Sequence, residues 1–237
     1  LATAPAHAGT PNGDLTSGIP FLTQPIVEAH DGRGIVDAHY TGTVTLTENG
    51  AGSLGGDIDI AAVNGVSTFT GLTYTAAVDQ EAPVFTFSDG VLSAATSAAL
   101  KVDVVADRLV FTQAVTDGNA VNGDIVSGAS FAQQPVLQAR DANGLHDSNY
   151  AGTTVTASEN GAGSLAGDVD IQLSAGQATF TDLAYDATAD GEMFTLTLGD
   201  GTLTAATAVL TADAIATQLV LATAPAHAGT PNGDLTS

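Results

Sequence analysis

Apolar and polar residues alternate with a period of two in short runs along the chain, and no stripe of helical period interrupts them, so the pattern predicts an all-β protein. From the middle of residues 21–31 Val27 and Ala29 face one way and Glu28 and His30 the other; Leu137 and Ala139 against Gln138 and Arg140 repeat the arrangement later in the chain. Residues 43–47 turn Val44 and Leu46 inward. Ile58, Ile60 and Ala62 share a face opposite Asp57 and Asp59, and Asn64-Gly65 then signals a two-residue hairpin turn before a strand over 66–72. Phe69 and Leu72 stand three apart, as do Phe180 and Leu183, which predicts a bulge or a strand end at Gly71 and Asp182. Further strands are expected at 84–88 and 194–198, with the last strand and the exit over 92–110.

The same pattern recurs at two offsets. Residues 1–17 return letter for letter as residues 221–237, an offset of 220, and residues 18–34 return in weaker form from Gly128, an offset of 110. The inner offset slips to 111 at Glu48 and Glu159, with an extra residue near Thr153, and returns to 110 by Asp103 and Asp213 through a loss near Ser97. Fixed-period similarity is the mark of an array built from one structural unit. The expected division is a first module over 1–107, a second over 108–217, and the start of a third over 218–237. Within residues 100–111 and 210–221 there is no Pro, Gly or Ser, so strand should run almost directly into strand at each joint and restrain bending.

Composition narrows the function. Four basic residues stand against 26 acidic ones, a net charge of −22, which argues against nucleic acid and anionic membrane surfaces as partners. No run has the length of an apolar membrane span, and the chain starts without a signal pattern, so any targeting information is expected outside this stretch. With no Cys and no Trp, the core must be built from aliphatic residues, Phe21, Phe69, Phe85, Phe87 and four tyrosines that recur in register, Tyr40 with Tyr150 and Tyr74 with Tyr185. No His is shared by the two modules at the inner offset: His30, His39 and His146 stand opposite Arg140, Asn149 and Val36, while His7 and His227 are copies at the outer one. No nucleophile, base and orienting group recur together, so the chain is read as non-enzymatic.

Leu109 to Phe111, the Phe131, Gln134-Pro135 and Leu137 run, the Ala139, Asp141 and Gly144 turn, Thr43-Val44-Thr45, Gly52-Ser53-Leu54 with Gly55, and the run from Asn64 to Tyr74 together resemble the bacterial immunoglobulin-like repeats of large surface proteins and adhesins. The resemblance covers both modules nearly end to end. It implies tandem immunoglobulin-like β-sandwiches in a rod-like array, extracellular or at a cell surface, working as stalk, spacer or filament body. Two other readings stay open: an adhesin module binding a carbohydrate or other surface ligand, and a self-assembling subunit whose neighbours exchange strands. Expected partners are neighbouring repeats or further copies of the chain. The lysine–asparagine cross-link of some such domains lacks support, because Lys101 has Thr211 as its counterpart.

Carboxylates are the one site-like signal. Asp31 and Asp37 match Asp141 and Asp147, Asp79 and Glu81 match Asp190 and Glu192, Asp89 matches Asp200, and Asp103 matches Asp213. Asp103 and Asp107 in the linker, with Asp141, Asp147 and Asp200 from the facing loops, are the candidate ligands for calcium at the junction, since hard oxygens converge there and basic partners are few. Asp57 with Asp59, and Asp168 with Asp170, read as a wet strand face.

Overall fold

The computed structural model describes residues 1–6, 14–116 and 123–223; His7, His227 and most of the third repeat, 224–237, lie outside the described residues. Among the described residues there are strands and no helix. The first repeat carries β1 (Leu15–Thr16), β2 (Ile26–Glu28), β3 (Thr43–Glu48), β4 (Ser53–Gly55), β5 (Asp59–Ala61), β6 (Val66–Thr68), β7 (Thr73–Thr75), β8 (Phe85–Ser88), β9 (Ala95–Thr96) and β10 (Val102–Asp103). The second carries β11 (Arg108–Gln113), β12 (Ile125–Val126), β13 (Val136–Arg140), β14 (Thr154–Glu159), β15 (Ser164–Ala166), β16 (Asp170–Gln172), β17 (Gln177–Thr179), β18 (Ala184–Asp186), β19 (Glu192–Gly199) and β20 (Ala206–Asp213).

In the second repeat a five-stranded sheet, β12-β20-β19-β14-β16, faces the three-stranded β11-β13-β17, with β15-β18 as a further pair. Leu137, Ala139 and Ala178 from one sheet meet Val155, Phe194, Leu196 and Leu198 from the other in a single core. That is the arrangement of a β-sandwich: alternate residues of each strand turn inward and the two inner faces interlock. The first repeat has the same plan in shorter pieces, β5-β3-β8-β9 with β1-β10, β2-β6 and β4-β7, around its own core of Phe21, Val44, Leu46, Phe69, Leu72, Tyr74, Phe85 and Phe87. Pro83 explains part of the fragmentation. It stands where Phe194 pairs with Leu210 in the second repeat, and, having no N–H to give to the ladder, it delays β8 to Phe85 while β19 runs on from Glu192.

Period-two alternation holds where it was strongest. Val44 and Leu46 are buried, as are Phe21, Phe69, Phe85 and Phe87, whereas Ile58 and Ile60 are half-buried beside exposed Asp57 and Asp59. The Asn64-Gly65 turn forms with both residues at positive φ (52° and 80°), and Val63 and Val66 exchange both backbone hydrogen bonds, at 2.9 and 3.1 Å. The flanking strands then part, β5 pairing with β3 and β6 with β2. The predicted hairpin is therefore a corner between sheets. β6 ends at Thr68, and the chain bends at Gly71, at φ +67°, and crosses to pair β7 with β4; this is why Phe69 and Leu72 both point inward although three residues apart.

Candidate functional site at the junction between repeats

Four residues, Val104 to Asp107, separate β10 from β11, and the polar groups around them are bonded across the joint. The Asp79 carboxylate accepts from Val104 N–H (2.8 Å) and Gln80 N–H within its own repeat, and from Ser148 N–H (2.9 Å) and Ser148 Oγ–H (2.7 Å) of the next. Asp103 accepts from Gln80 Nε2 (2.5 Å) on one side and Asn149 Nδ2 (2.9 Å) on the other. Asp147 accepts from Ala106 N–H in the connection (3.0 Å) and from Tyr150 N–H (2.9 Å). Leu145, from the same loop, packs against the core of the first repeat. A connection too short to swing freely is thus pinned from both sides.

The five residues expected to hold calcium divide. Asp103, Asp107, Asp141 and Asp147 line one open groove of about 780 Å³ together with Asn149 and Tyr150. Each already has donors. Asp107 is bound by the guanidinium of its neighbour Arg108 (2.6 and 3.1 Å), which holds its carboxyl below the ordinary value. Asp141 closes its own turn through Asn143 N–H and Leu145 N–H. Asp200 lies apart from the groove and accepts from Tyr150 Oη–H at 2.6 Å and Thr153 Oγ1–H at 3.2 Å. Among the described residues no group of three or more His, Asp or Glu side chains is placed to hold a metal ion.

Electrostatics at the joint pull in two directions. Burial pushes Asp79 up, but its hydrogen bonds from Ser148, Val104 and Gln80 outweigh that and hold the carboxyl below its ordinary value. Burial pushes Asp147 up, and the negative charges of Asp79 and Asp103 add to the rise against the bonds from Ala106 and Tyr150. Asp79 is the residue whose cross-joint role the sequence leaves hidden, along with Ser148 and Asn149. The available signal is its counterpart Asp190, which accepts from Ala214 N–H at 3.0 Å as Asp79 accepts from Val104.

A second polar device is internal to each repeat. Tyr74 and Tyr185 are fully buried, and their hydroxyls donate to Glu81 (2.9 Å) and Glu192 (2.5 Å) while accepting from Gly52 and Gly163 N–H (3.0 Å each). Tyr40 and Tyr150 donate in the same way to Asp89 and Asp200, at 2.6 Å each. Burial first, and then the carboxylate partner, push Tyr40 and Tyr185 up to about 12. Glu192, held by Tyr185, Thr188, Gly163 and Ala162, falls from 4.5 to about 2. A carboxyl depressed by folding lends stability that is complete above its unfolded value and disappears as pH drops through the folded one. The melting midpoint of the second repeat should therefore decline between pH 4.5 and about 2, and Glu192→Gln should flatten that decline; equal slopes in the two proteins would contradict the assignment.

His30 Nε2 bonds Glu28 at 2.9 Å on the surface, and the His39 side chain is exposed. His146 Nε2 is buried without a hydrogen-bond partner.

No protein-family model matches the chain, and no curated protein matches it. Among the solved structures that resemble the chain at low levels are the following two. A β-glucuronidase of Bacteroides uniformis is 16% identical with a TM-score of 0.29, over 72% of this chain and 21% of its own length. Domains 5–6 of the S-layer protein SbsC are 16% identical with a TM-score of 0.25, over 86% of this chain and 93% of theirs. The chain thus spans about a fifth of the glucuronidase's length. No helix among the described residues is long and apolar enough to cross a membrane.

Proposed function

We propose that the chain is a non-enzymatic structural array of immunoglobulin-like sandwiches, divided at residues 107 and 217, that serves outside the cell as a stalk, spacer or filament body. The observation that carries this reading is the bonded joint: Asp79 to Ser148, Asp103 to Asn149 and Asp147 to Ala106 tie consecutive repeats by side chains at both ends of a four-residue connection. Such a joint resists bending, which a spacer requires and an isolated binding domain does not. The recurrence of Asp79 and Asp103 as Asp190 and Asp213 places the same acceptors at the next joint along the sequence.

Ser148→Ala with Asn149→Ala removes the cross-joint side-chain donors and leaves in place the bonds to Asp79 from the residue-148 N–H and from Val104 N–H. Small-angle scattering of the 237-residue chain should then show a broader distribution of inter-repeat distances, with both melting transitions close to their original midpoints. An unchanged scattering profile would remove the support for a stiffened joint. Repeating the measurement in calcium and in sodium at matched ionic strength separates the two ways of holding it: a profile that tightens only in calcium indicates an ion bridging the groove carboxylates, and equal profiles indicate the hydrogen bonds alone.

A further inference from the structure

Two of the chain's four basic residues stand side by side on the second repeat. The register of β11 against β13 sets Arg108 directly opposite Arg140, so both side chains leave one face of the sheet, where like charges repel. Arg108 is paired: its Nε and Nη2 donate to Asp107 at 2.6 and 3.1 Å, and among the described residues no group accepts from its Nη1. For Arg140 no carboxylate among the described residues forms an ion pair. Its Nη1 donates to Gly144 O at 2.5 Å and its Nη2 to Gln138 Oε1 at 2.7 Å, both neutral oxygens, and its Nε is buried without a hydrogen-bond partner. The adjacent Asp141 carboxylate is turned into its own loop, on Asn143 N–H and Leu145 N–H. A half-buried guanidinium with one buried donor unbonded and no counter-ion, in a chain of 26 acidic residues, calls for an acceptor from outside the chain.

The packing of a repeat does not require this pair. The tyrosine–carboxylate bonds recur in both repeats, whereas at the inner offset Arg140 aligns with His30, Gln138 with Glu28 and Arg108 with Gln218. An open groove of about 590 Å³ is lined by both arginines together with Val110, Phe111 and Asn143. Sites for small molecules have this size, about 300–1,000 Å³. We propose that the groove binds an acidic monosaccharide, its carboxylate between the Arg108 and Arg140 guanidinium groups and its ring along Val110 and Phe111. A carboxylate presents two oxygens in the plane that suits guanidinium donors, and Nη1 and Nη2 of Arg140 each keep a second N–H to give. One negative charge is the fitting number: Asp107 already offsets Arg108, and a net charge of −22 repels a polyanion. The apolar side chains favour a carboxylate carried on a ring over a small inorganic anion. This inference goes beyond the structural-array reading and uses none of the cross-joint bonds.

The arginine Nε–H signals of the 237-residue chain, followed by NMR as galacturonate is added at constant ionic strength, test it. The Arg108 and Arg140 signals should move and saturate. Galactose, which lacks the carboxylate, should move neither, and acetate, which lacks the ring, should bind about tenfold more weakly. Arg140→Gln should weaken galacturonate binding by about tenfold or more while the second melting transition stays near its original midpoint. Arg108→Gln should weaken it likewise and serves in its place if Arg140→Gln does not fold. Arg33→Gln, which removes the remaining arginine, should change nothing. Galacturonate that moves no arginine signal, or moves them only linearly up to its solubility limit, would overturn the proposal. So would inorganic phosphate binding more tightly than galacturonate, or acetate binding equally well, because the groove would then recognise charge and not an acidic sugar. None of these results depends on how scattering responds to the Ser148 and Asn149 substitutions, so the groove and the stiff joint can fail separately.

Discussion

Phe69→Ala is expected to destabilise the first repeat by about 3–5 kcal/mol, the usual cost of emptying a large aromatic site in a core that cannot collapse around it. Phe69 is completely buried, and its ring meets that of Phe87 edge-on at 5.2 Å, so truncation removes both burial and the aromatic contact. The cores of the two repeats are separate clusters. Calorimetry should accordingly show one transition moving to much lower temperature while the other stays close to its place. A change near zero would mean that the inner face of residues 66–72 has been placed wrongly. Movement of both transitions together would mean that the joint couples the repeats into one cooperative unit.

Gly176→Ala is the second large effect expected. Gly176 sits at φ +68°, and an added Cβ would lie 2.0 Å from the backbone oxygen of Asp147 and 2.6 Å from His146 Nε2. Its N–H donates to Tyr150 O at 2.7 Å, and its carbonyl accepts from Ala139 N–H at 2.8 Å, so the turn cannot move without breaking its hold on β13 and the joint loop. The left-handed conformation and the overlap together should cost on the order of 2 to 5 kcal/mol. Because Asp147 must shift, scattering should broaden, as is expected for the Ser148 and Asn149 substitutions. The neighbouring Ala175, at φ 49°, supplies the control: Ala175→Gly relieves strain in the same turn and should raise the second midpoint by an increment worth about 0.5 kcal/mol.

What was legible in the chain is what depends on near neighbours. Val44 and Leu46 read as inward because period-two alternation is a property of the strand itself, and Asn64-Gly65 read as a turn because its conformation is local. That the strands beside that turn join different sheets depends on β2 and β3, which lie far back in the sequence. The irregularity at Gly71 was readable, but only the crossing of the chain to β4 explains it. The joint was harder. Counting carboxylates located Asp103, Asp107, Asp141 and Asp147 on one groove, yet charge alone does not reveal that backbone N–H groups, Asn149 and Arg108 have already claimed them. Asp79 acts on Ser148 from 69 residues away, a distance over which no pattern in a single sequence reports contact.

The parallel pairing of a short strand near the start of each repeat with its last strand gives each repeat a mechanical character. β1 runs alongside β10, with Leu15 N–H bonded to Lys101 O and Ser17 N–H to Asp103 O; β12 runs alongside β20, with Ser127 N–H bonded to Asp213 O. Tension applied along an array enters a repeat near one of these strands and leaves from the other, dragging the two lengthwise in opposite directions. Their hydrogen bonds are then loaded together in shear, instead of being peeled open singly from an end. A repeat tied in this manner holds its length under pull and yields abruptly, all at once, when the shared bonds give way.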